Sequence, residues 1–162
     1  MKVQDKEDVF DAVGRGVLKD ILDLGIKGVS DVRFALLYYL GGEIDEAKVR
    51  RIAEELLCDK IVQEYAIEPV GHRPSAIGPD IIEAAYNPGV MDPSEESVLK
   101  AISDMGITGV DSVRTAKQYW LKGSISGIAR NTITEELLYN KVIQHIVDRR
   151  TAPVCRMGRH GA

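Results

Sequence analysis

The sequence predicts an α+β protein that consists of two homologous units fused as a pseudo-twofold dimer. The first observation is an internal repeat: when the chain is shifted by 81 residues, 25 of 55 positions between Val9 and Gln63 match their partners between Val90 and Gln144 without a gap. Unrelated chains of ordinary composition match at roughly one position in sixteen. The second observation is that strand-like and helix-like hydrophobic spacing alternate in each copy. Two copies are too few for a solenoid, so a fused dimer is the better interpretation.

The first helix of the repeat has its clearest start in the second unit. Asp92 can cap the helix, Pro93 suits its first position, and Glu95 lies where a capping box needs a carboxylate. Gly106 then ends the helix in a left-handed conformation. Because Gly14 replaces the capping-box glutamate in the first unit, we expect a less stable first turn there. Apolar residues follow at helical spacing in both copies: Val17, Leu18, Ile21 and Leu24, and Val98, Leu99, Ile102 and Met105.

The remaining segments of each unit are predicted as strands and one further helix. A leading strand precedes the first helix, two adjacent strands follow it, and an amphipathic helix leads into a closing strand. In the first unit these segments are Lys2 to Asp8, Val29 to Phe34, Leu36 to Leu40, Glu46 to Cys58 and Ile61 to Ile67. The leading strand of the second unit is Ile81 to Tyr86. The resulting β-α-β-β-α-β order is ferredoxin-like and predicts antiparallel sheets with the helices on one face.

The predicted organisation places the two units at residues 1–67 and 81–147. Between them, Glu68 to Asp80 contains three prolines and two glycines, so we expect a linker without regular structure. A dozen extended residues span about 40 Å, which is far enough for the second unit to pack against the first. Residues 148–162 are predicted to form a flexible tail, or alternatively to lead toward a further domain of a longer chain.

The composition indicates a cytoplasmic globular protein rather than one that binds nucleic acid or spans a membrane. The formal charge is −4, and 44% of the residues are hydrophobic while 28% are charged. These values allow a substantial core but give no basic field for a phosphate backbone. No apolar run approaches the roughly 18 to 20 residues of a membrane-spanning helix, and the first six residues are too polar for a signal peptide.

Cysteines and histidines form no recognisable chemical site in the sequence. Cys58 and Cys155 lack CxxC spacing and are predicted to be reduced thiols. His72, His145 and His160 are scattered over the linker, the second unit and the tail. Their spacing builds neither a metal site nor a catalytic dyad. We therefore predict no metal and no catalytic residue in this chain.

Several short motifs occur in the same order in both units. They include an aspartate at the start of the first helix, a Leu-Gly-Ile turn at residues 24–26, V-x-x-V-R at residues 29–33 and 110–114, and paired leucines late in the second helix. In this order they resemble the PurS family, the small subunit of phosphoribosylformylglycinamidine (FGAM) synthase in purine biosynthesis, present twice.

The two units depart from the family pattern at different places. Residues 113–117 look like the family's V-R-x-G-K segment with Ala116 in place of the glycine, whereas the first unit has Leu36 where the lysine would fall. Residues 57–65 look like the family's closing pattern. The second unit, at residues 139–145, keeps the asparagine of that pattern but loses its acid-tyrosine pair.

The resemblance implies a non-catalytic role. Members of the family hold the ATP-dependent synthetase (PurL-type) subunit against the glutaminase (PurQ-type) subunit, so that ammonia from glutamine reaches formylglycinamide ribonucleotide. The resemblance also implies that this chain holds no cofactor, and that ATP, magnesium and glutamine are used by the partner subunits. A similar duplicated unit forms the amino-terminal region of large, fused FGAM synthases. Further self-association of the chain is left open.

Four side chains are candidates for contact with a partner: Arg33, Arg114, Lys117 and Tyr65. A planar guanidinium suits the recognition of carboxylate or phosphate, and the alternative is a structural ion pair, for example between Arg33 and Asp31. Lys117 joins Arg114 in a small basic site absent from the first unit, or it is a solvated strand lysine. Tyr65 belongs to a modest aromatic set that anchors an interface or packs in the core.

An alternative function is that of a regulatory module that binds a small molecule. Duplicated units of this strand and helix order also bind amino acids or nucleotides between paired domains. Such a module needs a polar pocket where the two units meet. The sequence leaves this alternative open beside the PurS-type role.

Overall fold

The computed structural model describes residues 1–68 and 80–147, and these contain two copies of a strand-helix-strand-helix-strand unit. The first comprises β1 (Lys2–Asp5), α1 (Ala12–Asp23), β2 (Val29–Gly42), α2 (Glu46–Ile52) and β3 (Gln63–Ala66). The second comprises β4 (Asp80–Tyr86), α3 (Glu95–Asp104), β5 (Val110–Gly123), α4 (Gly127–Ile133) and β6 (Gln144–Ile146). Helices α2 and α4 each continue into a π-helical turn, Ala53–Leu57 and Thr134–Leu138. All but the end residues of the predicted linker, and the whole predicted tail, lie outside the described residues.

The six strands form one antiparallel sheet in the order β3-β1-β2-β5-β4-β6. The two 14-residue strands β2 and β5 pair at its centre, with Val32 opposite Leu121 and Leu40 opposite Val113. Each half of the sheet comes from one unit, and the order reads the same from either edge. The structure therefore confirms an α+β fold with antiparallel strands, fused as a pseudo-twofold dimer.

The two adjacent strands predicted in the middle of each unit are one continuous strand. Ala35 separates the two segments in the sequence pattern, yet it is buried inside β2. It lies opposite Gln4 of β1 on one side and Gln118 of β5 on the other. A strand held on both sides needs no turn at a small residue, so each unit is β-α-β-α-β rather than β-α-β-β-α-β.

The first helices of the two units also start differently from expectation. Helix α3 begins at Glu95 rather than at Asp92-Pro93, and no side chain caps it. Helix α1 begins directly after Asp11, whose carboxylate accepts a hydrogen bond from the backbone N–H of Gly14 at 2.7 Å. The first unit therefore has the better capped helix, and the expectation of a weaker first turn there is wrong. Gly25 and Gly106 adopt the left-handed conformation predicted at the helix ends, with φ of 74° and 73°.

The helices cover one face of the sheet and enclose two hydrophobic cores, each shared between the units. In the first core, Ile21 of α1 packs with Ile133 of α4 over Val32 and Leu121. The second core joins Ile52 of α2 to Ile102 of α3. Because side chains alternate along a strand, the even-numbered residues of β2 face the helices and the odd-numbered residues face the other side. Neither unit completes a core without the other.

Candidate functional site

Two buried aspartates tie the helix starts to the central strands. Strand β1 pairs with β2 only as far as Gln4 opposite Ala35, so the next N–H of β2, on Phe34, lies beyond the ladder. The Asp11 carboxylate accepts this N–H at 2.7 Å. In the second unit, Asp92 accepts the N–H of Thr115 at 2.5 Å and its hydroxyl at 2.9 Å. Each carboxylate thus replaces the missing strand partner.

Sequence reasoning interpreted both aspartates only as helix caps. The contact from each aspartate to its strand spans 23 residues of sequence. A local spacing pattern carries no signal for such a contact. The only available clue was that Asp11 and Asp92 occupy the same position of the repeat.

Arg33 is held by its own unit. Its Nη2 donates to the backbone oxygens of Asp5 at 2.6 Å and of Lys6 at 3.3 Å, and its Nε lies 3.8 Å from Asp11. The side chain is only 21% exposed. The structural ion pair considered as the alternative is formed with Asp11 rather than with Asp31, and Asp31 lies 3.5 Å from Lys122 of the neighbouring strand. Contact between Arg33 and a partner stays a prediction.

Arg114 occupies the same position of the repeat but is 48% exposed. Its Nε lies 3.8 Å from Glu95, which stands where the first unit has Gly14. In the second unit the arginine therefore pairs with this glutamate, and no ion pair among the described residues joins it to Asp92. Arg114 also borders a cleft of about 360 Å³ to which Tyr39 of the first unit contributes. The other lining residues belong to the second unit: Ala85, Tyr86, Pro88, Gly89 and Thr115.

Lys117 and Arg114 do not form the small basic site considered from the sequence. They stand three positions apart in β5 and therefore lie on opposite faces of the sheet. Lys117 is exposed on the helix-bearing face, where none of the ion pairs among the described residues includes it. Its role as a partner contact also stays a prediction.

Tyr65 belongs to a surface cluster with Glu54 and Lys60. The tyrosine hydroxyl donates to Glu54 at 2.6 Å, and the Lys60 ammonium lies 2.9 Å from the same carboxylate. Hydrogen bonds from Lys60 and then Tyr65 lower the pKa of Glu54, while the bond to Glu54 raises the pKa of Tyr65. The contact of Tyr65 with a partner is untested by this geometry.

The second unit keeps this cluster with a different tyrosine. Glu135 and Lys141 stand 2.8 Å apart, as repeat mates of Glu54 and Lys60. Tyr139 donates to Glu135 at 3.2 Å, whereas the repeat mate of Tyr65 is Ile146. The loss of the closing tyrosine in the second unit is therefore offset by a tyrosine from the end of the preceding helix.

Two further contacts cross between the units on the helix-free face. The Lys2 ammonium lies 4.5 Å from the centre of the Trp120 ring, a cation–π distance. The Tyr39 hydroxyl donates to the buried carboxylate of Glu83. Lys2 and Glu83 are repeat mates, and so are Trp120 and Tyr39. Equivalent positions thus make equivalent bridges with different chemistry.

Metal-ligating and nucleophilic groups are dispersed over the described chain. Within residues 1–68 and 80–147, no three His, Cys, Asp or Glu side chains come together to hold a metal ion. Burial raises the pKa of the Cys58 thiol, which keeps it in the less reactive protonated form. His145 Nδ1 lies 3.2 Å from the Asn87 side-chain oxygen. None of the helices in these ranges is both long and apolar enough to cross a bilayer.

The fold and its polar contacts define a duplicated α+β protein whose charged side chains mainly connect its own elements and units. The PurS family of phosphoribosylformylglycinamidine (FGAM) synthase matches residues 1–71 and again residues 81–149. The chain therefore belongs to the PurS family and carries two of its segments in tandem. This membership links it to FGAM synthase and to purine biosynthesis. A search of curated proteins found no match.

Proposed function

We propose that this chain is the non-catalytic component of FGAM synthase that joins the PurL-type synthetase to the PurQ-type glutaminase and supports the transfer of ammonia between them. The observation that carries the proposal is the presence of two PurS segments in one chain. In this role the chain works in the cytoplasm and holds no cofactor. ATP, magnesium and glutamine bind to the partner subunits.

The shared cores support a scaffolding role. Ile21 and Ile133 belong to different units but to one core, and Ile52 and Ile102 do the same in the other. Two units locked in this way present their surfaces at a fixed separation. A component that joins two larger proteins benefits from such rigidity, because less conformational freedom is lost on binding.

The experiment is reconstitution with separately purified partners. The chain is mixed with the synthetase and glutaminase subunits, glutamine and ADP, and we expect a larger complex on size exclusion and faster glutamine-dependent FGAM formation. Replacing glutamine by an ammonium salt is the control, because free ammonia needs no transfer between subunits and the chain should then add little. Unchanged elution together with unchanged glutamine-dependent turnover contradicts the proposal.

A second candidate function is the binding of a regulatory small molecule. It is favoured by the cleft at the unit boundary, where Tyr39 of one unit meets Arg114 of the other. Thermal unfolding in the presence of amino acids and purine nucleotides separates the two candidates. One strong, saturable rise in Tm without any partner protein supports a ligand-binding module, and the absence of any rise supports the scaffold.

A further inference from the structure

Exposed apolar side chains recur at the same positions of the two units. Ile61 is 83% exposed and its repeat mate Val142 is 82% exposed. Single exposed apolar residues are ordinary. Here three positions stay both apolar and exposed in two copies that differ at more than half of their aligned positions. The three pairs are Phe10 and Met91, Ile61 and Val142, and Val62 and Ile143.

In each unit, the three exposed apolar residues lie on two segments that are joined by a backbone hydrogen bond. We call residues 6–10 and 59–62 corner one, and residues 87–91 and 140–143 corner two. In corner one the N–H of Lys6 donates to the carbonyl of Val62 at 3.0 Å, and in corner two the N–H of Asn87 donates to that of Ile143 at 2.9 Å. The corners therefore share one backbone architecture and one apolar pattern, and each leads into an edge strand of the sheet.

The corners differ in charge. Corner one carries three exposed carboxylates, Glu7, Asp8 and Asp59, and none of them takes part in an ion pair among the described residues. Their repeat mates in corner two are uncharged: Pro88, Gly89 and Asn140. The lysines offset this charge only in part, because Lys60 pairs with Glu54 and Lys6 alone is left against three carboxylates. Lys6 directs its ammonium at the carbonyl oxygens of residues 60 and 61.

The turn of corner one does not require the charge of Asp59. Asp59 accepts the N–H of Ile61 at 3.0 Å, and Asn140 accepts the N–H of Val142 at 2.9 Å in the same turn. An amide oxygen therefore serves the turn as well as a carboxylate does. The negative charge of Asp59 is free to act on something outside the chain.

We propose that corner one docks a partner protein whose contact surface carries apolar side chains ringed by lysine or arginine, and that corner two does not take this surface. Apolar contact supplies affinity at the centre of an interface, while charges at the rim set the choice of partner and the rate of association. Duplication followed by loss of charge at one corner lets a pseudo-symmetric chain bind two unlike proteins. The inference rests on the proposed function, which supplies the two partners.

The test measures the binding of the intact chain to the isolated synthetase and to the isolated glutaminase, one at a time, at several salt concentrations. The variant E7Q/D8N/D59N removes the three carboxylates and keeps the turn. We expect it to bind one of the two subunits about tenfold more weakly at low salt, with a difference that shrinks as salt screens the charges. Binding of the other subunit should be unchanged.

Two matched variants, Ile61→Ser and Val142→Ser, separate the corners. Ile61→Ser should weaken the binding of the subunit that responds to the charge removal. Val142→Ser should leave the binding of that subunit unchanged. Both positions are exposed, so thermal unfolding should stay close to that of the parent chain. The inference is overturned if the triple variant binds both subunits with wild-type affinity. It is also overturned if the two serine variants weaken the binding of one subunit equally.

The remaining outcomes are equally decisive. If Ile61→Ser alters only the association of the chain with itself, measured by light scattering, corner one serves a second copy and the inference is wrong. If the parent chain binds neither subunit under any condition, the proposed function fails and the inference fails with it. Failure of the inference alone is recognised by normal binding of the parent chain to both subunits together with any one of the overturning results for the variants.

Discussion

Leu36 lies directly opposite Lys117 in the central pair of strands, and the two residues occupy the same position of the repeat. The pseudo-twofold axis therefore passes between them. In a symmetric dimer of one unit, the residue at this position would face its own copy. The present pair, one apolar and one charged, avoids two like charges at the centre of the sheet.

The facing residues Leu36 and Lys117 give a first prediction. Leu36→Lys should lower the free energy of unfolding by about 1–2 kcal/mol, because two ammonium groups would lie opposite each other on one face and a half-buried apolar side chain would be lost. Thermal unfolding at low and high salt measures the effect, which should decrease as salt screens the repulsion. Leu36→Met is the control and should cost little. A loss that is the same at both salt concentrations contradicts the charge argument.

The buried carboxylate of the second unit gives another prediction. Asp92→Ala should lower the free energy of unfolding by roughly 2–4 kcal/mol, because the N–H and hydroxyl of Thr115 lose their acceptor in a buried site. Urea unfolding measures the loss. Asp104→Ala removes an exposed carboxylate that pairs with Lys100, and it should cost under about 0.5 kcal/mol. Equal losses in the two variants contradict the structural role of Asp92.

Two glycines of helix α1 are expected to respond in opposite directions to the same change. A Cβ on Gly14 would collide with the backbone oxygen of Val32, whereas a Cβ on Gly16 meets nothing within 4 Å. Gly14→Ala should therefore destabilise the fold by roughly 1–3 kcal/mol, and Gly16→Ala should stabilise it by about 0.5–1 kcal/mol. Chemical denaturation of both variants is the measurement. Stabilisation by Gly14→Ala is incompatible with the helix position described above.

The Glu54 cluster predicts a change of stability in acid. Hydrogen bonds from Lys60 and Tyr65 hold the pKa of Glu54 below the ordinary glutamate value of 4.5. The ionised carboxylate therefore contributes stability above that pH, and the contribution is lost as the pH falls through the lowered pKa. The Tm difference between the parent chain and Glu54→Gln should be constant near neutrality and should shrink below about pH 4.5. A difference that grows in acid contradicts this assignment.

Repetition in the sequence was sufficient to predict the pseudo-twofold dimer, and helical spacing with Gly25 and Gly106 was sufficient to predict two helix ends. The pattern failed at Ala35, because a small residue in a strand resembles a break until its neighbours on both sides are known. It also missed a contact of Asp92, whose Oδ1 accepts the N–H of Ser94 in the turn before α3 while its Oδ2 bonds Thr115 of a distant strand. Both failures come from contacts between segments that are far apart in sequence.

At the candidate site too, the repeat positions were predictable from the sequence but the contacts of the side chains were not. Arg33 and Arg114 were recognisable as a pair from their shared position, but their different surroundings depend on Gly14 in one unit and Glu95 in the other. The separation of Lys117 from Arg114 follows from strand alternation once β5 is known to be continuous. The ion pairs at each corner depend on which loops and turns lie next to each other in the folded chain. The sequence alone could therefore not predict which charges are neutralised there.

Because each core is shared between the units, the order in which the chain is synthesised also affects how it folds. Helix α1 leaves the ribosome long before α4, the element that covers Ile21 and Val32. During synthesis the apolar surface of the first unit therefore stays exposed, and accessible to chaperones, until more than a hundred further residues have been made. Two separately expressed halves should therefore be poorly folded apart and recover order only when they meet.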